Sequence, residues 1–138
     1  MQEEMITPEN LSKELLKSVL EAAYMDVSYD KDGDIKVKDK VTCFVFPNEK
    51  WKDRITLCAI FGFKPQVEQT QRLECANRIN SEYAIIRAVV GKNDTLRFTY
   101  DVLLEGGGIS RKAFVLQLKR FCSIPHDAVA DCGADLIE

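Results

Sequence analysis

Apolar residues in this chain recur at a spacing of three or four in three stretches and at a spacing of two in the runs between them. Side chains return to one face of a helix every 3.6 residues and to one face of a strand every two. This switching of period limits the possible folds more than any other feature of the sequence. Leu11, Leu15, Val19 and Ala23, with Leu16 and Leu20 beside them, form the first helical stripe. Thr7 is placed to cap it and Pro8 to open it, since a missing N–H costs nothing in a first turn. A second helix spans about Val67 to Glu82, with Leu73, Ala76, Ile79, Asn80 and Tyr83 near one face. A third begins at a Ser110 cap and carries Phe114, Leu118, Phe121 and Cys122.

Strands fill the intervals. Met25 to Tyr29 is a short one, and Asp30 to Asp34 is a turn in which Gly33 takes positive φ cheaply. The Asp-x-Asp spacing there resembles a calcium loop, but the Gly comes too early and no glutamate closes it, so a hairpin is expected. Ile35 and Val37 alternate with Lys36 and Lys38, and Val41 to Phe46 is dense in β-branched and aromatic residues. A two-residue turn at Asp39-Lys40 gathers Ile35, Val37, Thr42, Phe44 and Phe46 on one face. A straight strand gathers Ile35, Val37, Val41, Cys43 and Val45 and leaves both Phe with the lysines. The turn gives the more apolar core face and is the expectation. Arg54 to Phe63 turns Ile55, Leu57, Ala59, Phe61 and Phe63 to the core, with Thr56, Cys58 and Ile60 opposite. Ala84 to Val90 and Leu96 to Val102 are the last strands, and Gly106 to Gly108 is a loop.

Pro125 and Gly133 interrupt the period after Ser123, so residues 123–138 read as a weakly determined tail. The order is α-β-β-(β)-β-α-β-β-α. Strands that come in runs joined by short turns pair antiparallel, which predicts an α+β domain: one antiparallel sheet with packed helices. The whole chain, 1–138, reads as a single domain with its core at about 8–122.

Composition removes function classes. Nineteen Lys and Arg against 22 Asp and Glu give −3, with a pI near 5.3. There is no basic excess to grip a phosphate backbone, so nucleic acid is not the expected partner. Cys43, Cys58, Cys75, Cys122 and Cys132 include no C-x-x-C pair, which argues against a disulfide framework or a zinc ribbon and fits a reducing cytoplasm. Met1 to Ile6 is acidic with no apolar run of signal length, and stretches such as Leu57 to Phe61 are too short to span a bilayer. A cytoplasmic protein with no membrane partner is expected.

Several stretches together resemble the YbjN-domain family, described as bacterial sensory-transduction regulators and similar in fold to the small dimeric type III secretion chaperones. They are Asp32-Gly-Asp-Ile35, Cys43-Phe-Val-Phe46, Ala59-Ile-Phe-Gly-Phe63 and Ala76-Asn-Arg-Ile-Asn80. Leu96-Arg-Phe-Thr-Tyr-Asp-Val-Leu-Leu104, the Gly106 run and the final amphipathic helix complete the set, which covers about residues 10 to 122. The resemblance implies a cytoplasmic, homodimeric, non-enzymatic protein that binds other polypeptides. It supplies no catalytic, metal or cofactor residues.

The residues themselves agree with that absence of chemistry. Gly106-Gly-Gly-Ile-Ser110 lacks the Gly-Lys-Ser/Thr ending of a phosphate loop and reads as a connection. Asn77 and Asn80, three apart on one helix side, suit the satisfaction of strand backbone. His126, the one histidine, pairs in sequence only with Cys122 or Cys132 in the tail, where nothing fixes a nucleophile's geometry. Lys36 and Lys38 read as guards of an exposed edge strand, or as a means of recognising an acidic partner segment. Trp51 lies in the charged turn Asn48 to Asp53, where it either folds back on the core or anchors an interface. The expected function is therefore a protein-binding module with Trp51, Lys36 and Lys38 at its surface. The alternatives are a small-molecule binder in a sheet–helix groove and a thiol-dependent enzyme.

Overall fold

The computed structural model describes residues 5–138. Met1 to Glu4, part of the acidic start read above as lacking a signal, lie outside the described residues. The chain opens with a two-residue strand, Met5–Ile6 (β1), and the helix Lys13–Ala22 (α1). Asp26–Tyr29 (β2), Ile35–Lys38 (β3), Thr42–Pro47 (β4) and Arg54–Gly62 (β5) follow. Helix Gln69–Glu82 (α2) leads to Arg87–Gly91 (β6) and Thr95–Leu103 (β7), and Ile109–Ser110 (β8) leads into Arg111–Cys132 (α3). Six strands pair antiparallel in the order β2-β3-β4-β5-β7-β6, and β1 pairs with β8 apart from them. The fold is the expected α+β arrangement of an antiparallel sheet with packed helices.

All three helices lie on one face of the sheet. That face presents Ile35, Val37, Cys43, Val45, Ile55, Leu57, Ala59, Phe98 and Val102, which join Leu16, Leu20, Ile79, Phe114, Leu118 and Phe121 in one buried cluster. Phe98, Phe114, Phe121 and Leu57 are fully buried, and each contributes about 1.5–3 kcal/mol by leaving water.

The first helix begins later than the sequence suggests. Thr7 Oγ1 accepts from the Asn10 N–H, and Asn10 Oδ1 accepts from the Thr7 N–H at 2.8 Å, closing a separate turn. Ser12 is the actual cap, its Oγ accepting from the Leu15 N–H at 3.0 Å. At the far end of the chain the correction is larger. Helix α3 runs through Pro125 to Cys132. Proline lacks the N–H that would bond the Phe121 carbonyl and crowds the preceding turn. Pro125 nevertheless lies on the buried stripe Phe114, Leu118, Phe121, Pro125 and Ala128, so burial holds the helix together. The residues beyond it are also tied down: Lys64 N–H donates to the Leu136 carbonyl at 2.8 Å and Glu138 N–H to the Gly62 carbonyl at 2.9 Å.

The β3–β4 hairpin corrects the predicted register. Lys38 pairs with Thr42, so three residues, not two, form the loop. One extra residue exchanges the faces of the second strand. Cys43 and Val45 therefore point inward beside Val37 and Ile35, and Phe44 and Phe46 point outward with the lysines. Two smaller corrections follow the same logic of burial. Leu73 is 52% exposed, and Arg72, Cys75, Ala76 and Ile79 form the buried side of α2. Ile85 has φ 63° and precedes the strand, which starts at Arg87.

Candidate protein-binding face

No helix of the described residues lies over the second face of the sheet, and register specifies what that face carries. One row across it reads Ser28, Lys36, Phe44, Cys58, Thr99 and Arg87. Its neighbours include Asp26, Lys38 and Thr42; Phe46, Thr56 and Asp101; Ile60, Arg97 and Val89; and Arg54 with Leu103. The Phe44 and Phe46 rings lie near-parallel at 6.4 Å. Phe46, Ile60 and Leu103 are 36%, 50% and 60% exposed. The face thus carries large exposed apolar groups, a Phe pair with Ile60 toward one end of β5 and Leu103 toward the other, with cations among them.

Polar groups at the middle of the face are organised. Thr56 Oγ1 donates to Asp101 Oδ1 at 2.6 Å, Arg87 Nε donates to Thr99 Oγ1 at 3.1 Å, and Arg87 Nη2 stands 3.8 Å from Asp101 Oδ2. Cys58 and Thr99 are buried although they face outward, because they are short side chains set between Phe44 and Arg87. Burial raises the Cys58 thiol's pKa, and the nearby Arg97 guanidinium pulls it partly back.

Of the residues singled out in the sequence, Lys36 and Lys38 are on this face but not on an edge. Strand β3 is flanked by β2 and β4, so the edge-guard reading is corrected: β2 and β6 are the edges. Trp51 lies in the turn between β4 and β5 and is 66% exposed. Its ring does not fold back on the core. Lys50 Nζ sits 5.0 Å from the ring centroid, and the Trp51 N–H donates to Asn48 Oδ1. The β6 edge is closed by Asn80, whose Oδ1 accepts from the Ala88 N–H at 2.7 Å and whose Nδ2 donates to the Ala88 carbonyl at 2.9 Å. The side-chain amide takes the place of a neighbouring strand. Asn77 has no such role and is exposed.

The remaining candidates have structural roles. Burial is the largest or second cause raising Cys43, Cys58, Cys75 and Cys132, with the Cys122 thiol foremost for Cys43, and a raised thiol is a poor nucleophile. Cys122 is fully buried, and exposed His126 bonds to Asp127 at 3.2 Å. Glu82, Asp131 and Cys132 come together, but Arg78 pairs with both carboxylates and the Tyr83 hydroxyl donates to Asp131, so the group joins the ends of α2 and α3. Gly108 is at φ 97°, and a Cβ there would collide with the Ile6 carbonyl, so the glycine run admits β1.

Two grooves were not legible in the sequence. One, of about 280 Å³, lies between α1 and α3 against Val19, Ala22, Ala23, Val115 and Leu116. Beside it Tyr24 closes α1 at φ 63° and is 98% exposed. The other, of about 440 Å³, opens where β4 leaves β5, between Val41, Phe44, Ile60, Phe61 and Val129, with Lys40 and His126 among its lining.

Comparison with known proteins gives the same fold. The family model described as "YbjN: Putative bacterial sensory transduction regulator" matches residues 12–133. The structure of YbjN from E. coli, described as a "putative transcription regulator", superposes with a TM-score of 0.79 at 10% identity, covering 98% of this chain and 99% of that one. An uncharacterized protein from Methanothermobacter thermautotrophicus gives 0.64 at 11% identity over 90% of this chain and 98% of its own. The Yersinia Pestis type III secretion chaperone SycH, solved in complex with a stable fragment of YscM2, gives 0.51 at 14% identity over 86% and 97%. No curated protein matches the sequence. No helix of the described residues is long and apolar enough to cross a membrane.

Proposed function

The chain belongs to the YbjN family, and from that premise we propose that it is a non-catalytic binding module, regulatory or chaperone-like, that receives a segment of a partner polypeptide on the open face of its sheet. One observation carries the reading: Phe44 and Phe46 stand side by side on a sheet face that no helix of the described residues lies over, with Ile60 and Leu103 exposed toward its two ends. Apolar patches rimmed by polar groups are features of interaction surfaces. Trp51 at the end of the face and Lys36 and Lys38 along it extend the contact. The chaperone-like fold agrees, since SycH was solved with a fragment of another polypeptide. The raised thiols speak against the thiol-dependent alternative.

The protein works as a homodimer in the bacterial cytoplasm. The apolar groove between α1 and α3, with the exposed Tyr24 beside it, supports self-association, because a two-fold interface must carry both the projecting group and its recess. Sedimentation at micromolar concentration giving only a monomer defeats the dimer. The second groove favours a second reading, a small apolar ligand held beside His126 and Lys40. A ligand-dependent rise in melting temperature, abolished by Ile60→Asp, is its test.

The main reading is tested with a Phe46→Asp/Leu103→Asp double variant. Immobilised wild type captures a defined partner from a bacterial extract, and the variant, melting at the same temperature, does not. Equal capture by both overturns the assignment of the face. Within the same assay Trp51→Ala weakens binding by about 2 kcal/mol.

A further inference from the structure

We propose that the segment received by the open face is acidic and amphipathic, with carboxylates interspersed among the apolar side chains that it buries. The inference rests on the reading that this face binds a polypeptide, and adds the chemistry of that polypeptide.

Charge carries the argument. Among the strand residues that point outward, Lys36, Lys38, Arg54, Arg87 and Arg97 are cations, and the carboxylates are Asp26 and Asp101. The whole chain is at −3, so this face is opposite in sign to the remainder of the protein. Part of the positive charge is already answered: Arg87 approaches Asp101, and Arg54 pairs with Asp53 at 2.9 Å. Lys36, Lys38 and Arg97 make no ion pair among the described residues. Their placement is regular. Lys36 is the cross-strand partner of Phe44, Arg97 that of Ile60, and Arg54 that of Leu103. Directly opposed side chains on adjacent strands have Cβ atoms about 5 Å apart. Three of the four apolar contact points, Phe44, Ile60 and Leu103, thus have a cation one strand away, whereas Phe46 lies opposite Thr56, and the matching segment carries acids among its apolar residues. Such pairing sets partner choice and association rate as well as affinity.

A cationic sheet face with aromatics is also how single-stranded nucleic acid is bound, each base stacking on its own ring. Here Phe44 is half-buried and Phe46 only 36% exposed, so the sheet face has no row of open rings for successive bases. The net negative charge of the chain opposes a long polyanion at distance. A peptide presents carboxylates together with apolar side chains and meets both halves of the surface.

Fluorescence anisotropy on the full chain tests this with three probes: a short labelled peptide of Glu, Asp, Leu and Phe, the same peptide with Lys in place of every acid, and a single-stranded oligouridylate. Wild type is expected to bind the acidic peptide, less tightly as salt rises, and to leave the Lys peptide free. Lys38→Glu/Arg97→Glu should lose about tenfold for the acidic peptide and gain affinity for the Lys peptide. Lys36→Gln/Lys38→Gln, which only neutralises, gives a smaller loss and serves if the reversal fails to fold. Equal binding of acidic and Lys peptides, unchanged affinity in the reversed variant, no binding of the acidic peptide, or tighter binding of the oligouridylate each overturns the inference. If these arms fail while Phe46→Asp/Leu103→Asp still abolishes capture from extract, the charge inference falls and the binding face stands. Intact capture by that variant removes the face itself.

Discussion

Along β5 the residues Ile55, Leu57 and Ala59 alternate with Thr56, Cys58 and Ile60, and the two sets have opposite surroundings. The first three are at most 1% exposed under the helices, whereas Ile60, on the other face, is half exposed. The same division runs across the sheet: Phe98 is fully buried, and its neighbour Arg97 is in solvent. The difference teaches that the domain is closed on one side only. A strand pair with one face packed and the other wet normally alternates apolar with polar. Here the wet face keeps two Phe, an Ile and a Leu, a composition that folding on its own does not require.

Four substitutions or conditions break or sharpen that contrast. Phe98→Ala on the inner face should cost about 3–5 kcal/mol in urea unfolding; a loss below 1 kcal/mol would mean that this face is loosely packed. Asn80→Ala removes both amide bonds to Ala88 and leaves a buried N–H, at about 1–3 kcal/mol, and exposes the β6 edge to strand addition. Concentration-dependent association of that variant, read by light scattering, is the added sign; a fully stable monomer would show that Asn80 is not closing the edge.

The Cys43 thiol gives a smaller, pH-dependent contrast. Beside Cys122 and buried on the inner face, it is raised well above its ordinary 9.0 and stays protonated in the fold, while the unfolded chain ionises near that value. Its contribution is therefore complete below pH 9 and is lost as pH rises through that value toward the folded one. Melting temperature should fall in this alkaline range, and less steeply in Cys43→Ala; identical slopes would refute the assignment. The smallest effect belongs to the outer face. Leu103→Ser should change stability by about 0.5 kcal/mol or less, and a large loss would reveal a packing role for the open side.

Much of the fold was legible because it is local. Ile55 to Phe63, Leu96 to Val102 and the Ser110 cap follow from period and capping chemistry, and the structure has them where the sequence puts them. Asn80 was readable as a clamp for strand backbone, since an amide offers both a donor and an acceptor. The candidate face was legible only in part. Lys36, Lys38 and Trp51 stand out by residue type, but from sequence alone a two-residue turn that buries Phe44 and Phe46 gives the more apolar core face.

The sequence by itself determined most of the strands, the three helices' approximate places and the antiparallel hairpins β2–β3, β3–β4, β4–β5 and β6–β7, because each depends on residues close in the chain. Tertiary structure decided three other matters. It set a three-residue loop between β3 and β4, and the odd residue reversed which side chains of β4 meet the helices. It carried α3 through Pro125, since a buried stripe outweighs one missing hydrogen bond. It placed all three helices on one face and left Phe44, Phe46, Ile60 and Leu103 uncovered on the other. Parity along a strand is periodic in the sequence, but which parity faces the core depends on what packs against it.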